Sequence, residues 1–343
     1  MPVLPSHEDA PDPPPSATGT GAMIARRAFS GLAGACAWMA VSALAAQTTG
    51  KPRRLGFMRS GTPVRQESLL QALAELGYRE GHNIAIDWRW VAATEHAQEA
   101  AAELVRSGVE LIIAADTPVA HAAAKTTRTI PIVLAGVADP VGSGLVQGLA
   151  RPGGNITGVS RNLPALAGKK LELLKQAAPA ITRIAFLGSA SDPATRLFVD
   201  NTRAAGKVLG VQIRAWLVRG AAEFDGAFSE MTRERIEGVV VQPLFAADYS
   251  VLAALALRHR LASVSDFRAF AAAGGLLSYG PSSFAVWQRV ASHIDRILRG
   301  ASPGALPIEE PLTFELVVNR KTAKALDLTI PGALLMRADE VIE

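Results

Sequence analysis

Polar and aromatic side chains that follow predicted strands are the residues of this sequence best suited to ligand chemistry. In open parallel α/β sheets, ligands bind at the carboxyl ends of the strands. Ser or Thr before a helix offers N–H groups to a carboxylate, an Asp can pair with an amine, and an aromatic ring can cover an apolar group. The candidates are Ser60, Thr62, Asp116, Thr117 and Asp139 in the first half of the chain, and Phe245, Asp266 and Tyr279 in the second, with Ser189, Asp192 and Arg268 at the same predicted edge. The alternative for each Ser, Thr or Asp is an ordinary helix cap.

Motifs for catalysis, cofactors or metals do not accompany these candidates. The run Gly142–Gly148 resembles a dinucleotide loop, but three residues separate its last two glycines where the fingerprint has two. The sequence has no Walker loop, no Gly-x-Ser-x-Gly elbow and no His-Glu-x-x-His, and its six His are scattered. We therefore expect a protein that is not an enzyme and that needs no cofactor or metal.

Composition limits the class of partner. The formal charge is only +4 over 343 residues, whereas a nucleic-acid-binding surface needs basic residues clustered on one face. We therefore expect a small-molecule ligand and no nucleic acid. The length and the 49% hydrophobic content suit two domains with sizeable cores.

The amino-terminal region predicts export. Residues 1–22 are rich in Pro, Ser, Thr and Gly, which predicts a disordered extension. Residues 23–46 read as a signal peptide, because Arg26 and Arg27 precede an uncharged apolar run and small residues follow it. The run is short for a spanning helix, which needs about 20 apolar residues, so an uncleaved anchor is the lesser alternative. The single cysteine, Cys36, lies in this segment, and the exported chain would have no disulfide.

Strands and helices alternate from residue 51 onward. Continuous apolar runs such as Leu111–Ala115 and Pro131–Val137 are typical of parallel strands covered on both faces. Earlier in the chain, two runs of apolar residues at helical spacing end at Gly77 and at Gly108. This alternation predicts a doubly wound α/β fold.

The second half of the chain repeats the pattern of the first. Gly210 and Gly238 stand where Gly77 and Gly108 stand in the first half, at an offset of about 130 residues. Two Rossmann-like lobes with a ligand cleft between them follow from this repeat. We predict that residues 51–160 and 281–305 form lobe 1, and that residues 161–280 and 306–343 form lobe 2.

Several longer strings are similar to a known family. They resemble the ABC transporter substrate-binding proteins that include tryptophan- and tyrosine-type binders, and they lie at residues 75–83, 129–133, 139–146, 150–158, 274–281 and 337–342. The resemblance implies a type 1 periplasmic-binding fold, amino acids or related molecules as ligands, and delivery to a permease in the inner membrane. Asp116 departs from the family pattern, which more often has a small residue there.

The positions of the candidates at strand ends and helix amino termini suggest their roles. For an amino-acid-like ligand, the carboxylate is expected near residues 60–62 or Thr117, and the amine at Asp266 first and Asp116 second. Tyr279 would cover the apolar part of the ligand. We therefore predict a periplasmic, monomeric solute-binding protein that closes on its ligand by hinge motion. The alternatives are a binding module for a membrane receptor and an enzyme on a similar α/β scaffold.

Overall fold

Two β-sheets organise residues 51–63 and 66–343, which are the residues that the computed structural model describes. The extension and signal peptide predicted for residues 1–46 lie outside these residues. The first sheet is wholly parallel, in the order β11-β5-β4-β3-β1-β2. Its strands are β1 (Arg53–Ser60), β2 (Ile84–Val91), β3 (Leu111–Ala114), β4 (Ile132–Val137), β5 (Ile156–Ser160) and β11 (Ile308–Glu309).

The second sheet has the order β13-β12-β10-β9-β8-β6-β7. Its strands are β6 (Arg183–Ser189), β7 (Gln212–Val218), β8 (Gly238–Val241), β9 (Ala262–Ser265), β10 (Leu277–Pro281), β12 (Phe314–Asn319) and β13 (Glu340–Ile342). Strands β6 to β10 are parallel, and β12 pairs antiparallel to β10. The order 2-1-3-4-5 of the first five strands recurs as 7-6-8-9-10, so the doubly wound, two-lobed fold expected from the repeat is confirmed.

Helices cover both faces of each sheet. On the first sheet they are α1 (Glu67–Glu75), α2 (Ala97–Ser107), α3 (Thr117–Thr126) and α9 (Ser283–Leu298). On the second they are α4 (Ala167–Ala177), α5 (Thr195–Leu209), α6 (Phe224–Arg233), α7 (Tyr249–Arg258), α8 (Arg268–Ala272), α10 (Arg320–Ala325) and α11 (Gly332–Leu335). Short 3₁₀ turns lie at Thr94–His96, Leu163–Leu166, Ala221–Glu223, Pro243–Asp248 and Pro303–Ala305.

Each sheet therefore has two apolar cores, one on each face. In the first sheet Leu55 and Phe57 point to the core under α1 and α9, whereas Met58 points to the core under α2 and α3. Every residue of β3 and β4 is buried, which explains why these strands read as continuous apolar runs instead of alternating ones. None of the helices of residues 51–63 and 66–343 is long and apolar enough to span a membrane.

The chain passes between the two sheets three times. It leaves the first sheet after β5, returns from β10 to α9, and leaves again from β11 to β12. Strand β11 pairs with β5, so Ile308 and Glu309 belong to the first sheet. The lobe boundary predicted between residues 305 and 306 is wrong for this reason, and the first lobe extends to Glu309.

Candidate functional site

A cavity of about 420 Å³ lies where the carboxyl ends of the two sheets face each other. In the first lobe it lies at the carboxyl ends of the neighbouring strands β1 and β3, where the strand order reverses. In the second lobe it lies at the carboxyl ends of β6 and β8. Such reversal points are where open α/β sheets form binding crevices. The volume is in the range of small-molecule pockets, about 300–1,000 Å³.

The same hydrogen bond shapes the two reversal points. In the first lobe the backbone N–H of Ser60 donates to Asp116 Oδ2 at 2.6 Å. In the second lobe the backbone N–H of Ser189 donates to Gln242 Oε1, also at 2.6 Å. In each lobe the side chain that follows the third strand accepts from the last residue of the first strand, so the repeat extends to the site. The difference is charge, because the first lobe has a carboxylate where the second has a neutral amide.

Asp116 is fixed by three donors. Besides the Ser60 N–H, its carboxylate accepts from the Ser60 hydroxyl at 3.0 Å and from the Val119 N–H at 3.3 Å, which makes it the N-cap of α3. Burial raises the pKa of Asp116, while the bonds from Ser60 and Val119 and the charge of Arg59 oppose that rise.

Asp192 supplies a second carboxylate, from the second lobe. It is 8% exposed, and its oxygens accept from Gln242 Nε2 at 2.6 Å and from the Ala194 N–H at 3.0 Å. Burial raises the pKa of Asp192 to about 6, and the negative charge of Asp116 contributes to the rise. The two carboxylates therefore interact across the cavity, where a cationic group of a ligand would stabilise both.

Arg161 is a buried positive charge in the cavity wall, 8% exposed like Asp192. Its guanidinium lies over the ring of Phe267, 4.7 Å from the centroid. The guanidinium has no hydrogen bond or ion pair with any described residue, and its Nε is buried without a partner. Burial, with a contribution from the charge of Arg59, lowers the pKa of Arg161 to about 10.

A bulge in β4 makes room for this guanidinium. The pairing of β4 with β5 shifts between Ala135 and Val137, and Gly136 between them has a φ of +88°. A Cβ atom at Gly136 would lie 2.4 Å from Arg161 Nε. A glycine is therefore required here both by the backbone conformation and by the side chain beside it.

Aromatic rings complete the lining. Phe267 and Phe198 come from the second lobe and Trp287 from α9 on the first. Phe198 stacks on Phe186 with ring centroids 6.1 Å apart, and Trp287 lies 6.4 Å from Phe57. These contacts anchor the rings in the two cores, so that they offer rigid apolar surface to a ligand.

Four of the eight predicted site residues meet in this cavity. Ser60, Thr62, Asp116 and Thr117 all line it from the first lobe. Thr117 is 2% exposed, whereas Thr62 is exposed at the mouth. The structure therefore brings the loops after β1 and β3 together at one cavity, and contact of their residues with a ligand stays a prediction.

The other four predicted residues are not among those that line the cavity. Asp139 accepts from the N–H groups of Val141 and Gly142, at 3.1 and 2.8 Å, and so fixes a turn. Phe245 packs edge-on against Phe224 in the core of the second lobe, with centroids 5.3 Å apart. Tyr279 and Phe314 stack across β10 and β12, 6.0 Å apart. Each has a structural role in place of the expected contact with the ligand.

Asp266, the first choice for the ligand amine, has a partner inside the protein. Its Oδ1 accepts from Lys170 Nζ at 2.7 Å, and the two side chains are 0% and 2% exposed. Burial raises the pKa of Asp266, and the charges of Lys170 and Arg161 oppose that rise. Lys170, on α4, thus already pairs with the carboxylate that was expected to bind the ligand amine.

Two of the three arginines in the cavity wall and most of its second-lobe residues were not predicted from the sequence; the third arginine, Arg268, was noted at the predicted edge but not chosen. The residues that were not predicted are Arg59, Arg161, Phe198, Gln242, Phe267 and Trp287, together with Asp192, which was noted at the predicted edge but not chosen. The internal repeat contained a signal for one of them, Gln242. Had the Ser60–Asp116 pair been projected onto the second half, it would have pointed to Ser189 and Gln242.

The chemistry of this lining is that of charge recognition. Three guanidiniums, of Arg59, Arg161 and Arg268, and two carboxylates surround apolar rings, and the residues that the structure describes in this wall include no His, Cys or Lys. Arg268 already donates to both carboxylate oxygens of Glu340. Within residues 51–63 and 66–343, three or more His, Cys, Asp or Glu side chains converge nowhere to hold a metal ion. The cavity suits a small molecule that has a positive group, a negative group and an apolar or aromatic body.

Comparisons with known proteins agree in sequence and in fold. The family described as ABC transporter substrate binding protein matches residues 62–342. A tyrosine-binding protein of Clostridioides difficile (strain R20291) is 27% identical over 265 residues, which are 77% of this chain and 76% of that protein. The solved structure of an ABC domain in complex with L-Trp, from Streptococcus pneumonia, has a TM-score of 0.78 and 25% identity and covers 85% of this chain and 100% of that one. A conserved domain protein from Vibrio cholerae has a TM-score of 0.79 at 24% identity over the same shares.

Proposed function

The chain belongs to the family of ABC transporter substrate-binding proteins, and we propose that it captures an aromatic amino acid outside the cytoplasm and delivers it to a membrane permease. The family is one of solute-binding proteins and not a class of enzymes. The two-sheet architecture is the type 1 periplasmic-binding fold. Two relatives support the choice of ligand, since one is described as tyrosine-binding and the other was solved with L-Trp.

The observation that carries the proposal is the pairing of opposite charges around aromatic rings in one cavity. Arg161 can pair with an anionic group of a ligand, and Asp116 and Asp192 can pair with a cationic group. Phe267 and Trp287 are among the rings. An amino acid at neutral pH has both charges on adjacent atoms and one side chain beyond them. A zwitterion with an aromatic side chain therefore satisfies all three features of the lining.

The origin of the wall residues in both lobes supports a hinge-closing mechanism. Asp116 belongs to the first lobe and Asp192 to the second, so a ligand ammonium between them would link the lobes. In an open state the same ligand could contact only one of the two carboxylates. Closure is then stabilised by the contacts that only the closed state makes. The permease would recognise that closed shape, with the protein acting as a monomer.

Calorimetric titration of the purified protein tests the proposal. L-tryptophan, L-tyrosine and L-phenylalanine are the probes, and L-glutamate and L-lysine are the controls that lack an aromatic side chain. At least one aromatic amino acid is expected to bind and to be recovered unchanged after long incubation. Binding of the two controls with equal affinity, or turnover of the ligand, would contradict the proposal.

The proposed location rests on the signal peptide expected at residues 23–46 and on membership of the family. We expect the mature protein in the periplasm, beginning close to Ala46 or Gln47. Mass spectrometry of the intact protein from the periplasmic fraction measures that start directly. A cytoplasmic species that retains Arg26 and Arg27 would contradict export.

A further inference from the structure

The site expected for the ligand carboxylate, in the loop after β1, is already occupied by groups of the protein. The Ser60 N–H donates to Asp116 Oδ2 at 2.6 Å, and the Gly61 N–H donates to the Val91 carbonyl at 2.9 Å. The Asp116 carboxylate also places negative charge at this point and would repel a second carboxylate. The N–H groups of Ser60 and Gly61 are therefore not available to an anionic group of a ligand.

Arg161 has the properties of a partner for such a group. Its side chain is almost fully buried, lines the cavity and has no hydrogen bond or ion pair with any described residue. Burying a charge without a partner is costly, so such groups normally pair or coordinate a ligand. The guanidinium carbon lies over the ring of Phe267, 4.7 Å from the centroid, and its N–H donors have no acceptor among the described residues, so they are available to a planar carboxylate.

The other charged groups near Arg161 do not take this role. Arg59 lies close enough for its positive charge to lower the pKa of Arg161, and its own Nη1 donates to Gln66 Oε1 at 3.3 Å. The charge of Asp266 attracts the guanidinium of Arg161, but Asp266 Oδ1 accepts a hydrogen bond from Lys170. A ligand carboxylate would offset the repulsion between the two arginines, whereas a neutral group would leave it in place.

We propose that Arg161 binds the α-carboxylate of the ligand and makes a free carboxylate a requirement for tight binding. This inference rests on the proposed function and names the group that the cavity selects. Arg161 directly follows β5, at the first crossing between the lobes, and its N–H donates to Val137 of the first lobe at 2.9 Å. Its ring partner Phe267 belongs to the second lobe, so a carboxylate bound here contacts the hinge itself.

The test removes the carboxylate from the ligand and the guanidinium from the protein, separately and together. L-tryptophan is compared with tryptamine, and L-tyrosine with tyramine, on the wild type and on Arg161→Met and Arg161→Lys. Loss of one partner of a buried charge pair is expected to weaken amino-acid binding at least about 30-fold in Arg161→Met. The amines should bind the wild type and Arg161→Met within about 3-fold of each other, because the two deletions remove the same interaction. Arg161→Lys should recover only part of the affinity, since a lysine cannot bind a carboxylate bidentately.

The matched control is Arg214→Met, which removes a guanidinium that lies 5.3 Å from the centroid of Trp216, outside the cavity. The affinity of Arg214→Met for L-tryptophan and L-tyrosine should equal that of the wild type. Unchanged amino-acid affinity in Arg161→Met, or equal losses for amino acid and amine, would overturn the inference while leaving the proposed function intact.

Stability without ligand gives an independent measurement. Removing a buried charge that has no hydrogen bond or ion pair should raise the urea midpoint of Arg161→Met above that of the wild type. If the wild type binds neither amino acid, the proposed function fails, and this comparison alone decides whether Arg161 is held without a partner. A lower midpoint in Arg161→Met would show a structural residue and overturn the inference in either case.

Discussion

Replacing Asp192 by Asn is expected to stabilise the ligand-free protein at neutral pH and to weaken ligand binding at the same time. Burial, with a contribution from Asp116, raises the pKa of Asp192 from 3.8 to about 6. A rise of about 2 units corresponds to about 3 kcal/mol that the folded protein loses when this carboxyl ionises. The substitution removes that cost but also removes the 2.6 Å bond from Gln242, worth about 1 kcal/mol. The net gain in stability should be about 2 kcal/mol.

The pH dependence has a definite sign. Below the unfolded pKa of 3.8, the Asp192 carboxyl is neutral in both states and causes no destabilisation. Between pH 4 and pH 6, the unfolded state releases the proton and the folded state retains it, so the wild type loses stability relative to Asp192→Asn. Above pH 6 the difference is constant. Urea unfolding at several pH values measures the free energy of unfolding of both proteins.

The control for this experiment is Asp200→Asn on the same lobe. Its side chain is 58% exposed and faces Arg196 at 3.5 Å, so stability should change by less than about 1 kcal/mol at every pH. The reasoning is refuted if Asp192→Asn is less stable than the wild type at pH 7, or if the difference between them does not change between pH 4 and pH 6. Affinity for an aromatic amino acid should fall in Asp192→Asn and not in Asp200→Asn.

Two further substitutions test the fold around the site. Lys170→Met leaves Asp266 buried without its partner and should lower the free energy of unfolding in urea by about 3–5 kcal/mol. The control Arg258→Met breaks an exposed pair and should cost less than about 1 kcal/mol. Equal costs would contradict a buried Lys170–Asp266 pair. Gly158→Ala places a Cβ 2.3 Å from a backbone carbonyl of β4 at a φ of +127° and should lower the midpoint far more than Gly210→Ala, which has open space at a φ of +65° and costs about 1 kcal/mol; the reverse order would refute the packing of β4 on β5.

The sequence was sufficient to predict the architecture because the patterns involved are local. Apolar runs such as Leu111–Ala115 can be buried on both faces only in a covered parallel sheet, and the observed strand at Leu111–Ala114 differs by one residue. Gly77 and Gly210 stand at equivalent places in the two halves, and each has a positive φ, +88° and +65°, where a helix ends. The recurrence of such signals about 130 residues apart is what made the two lobes predictable.

The depth of each side chain could not be predicted in the same way. Asp266 follows a strand, as Asp116 does, but β9 is one strand removed from the reversal point between β6 and β8. Its carboxylate therefore meets Lys170 beneath the cavity and not the cavity itself. Lys170 gave no warning, because lysines on helices are mostly exposed. Arg161 was overlooked for another reason, since it lies in a crossing between the lobes, where neither strand nor helix periodicity applies.

A crystal structure of the protein with L-tryptophan or L-tyrosine bound tests the central claim most directly. The claim predicts the ligand in the cavity between the two sheets, with its carboxylate within hydrogen-bonding distance of Arg161 and its ammonium between Asp116 and Asp192. The aromatic side chain should contact Phe267 or Trp287. A ligand bound elsewhere, or bound here with its ammonium at Arg161 and its carboxylate at the two aspartates, would contradict it.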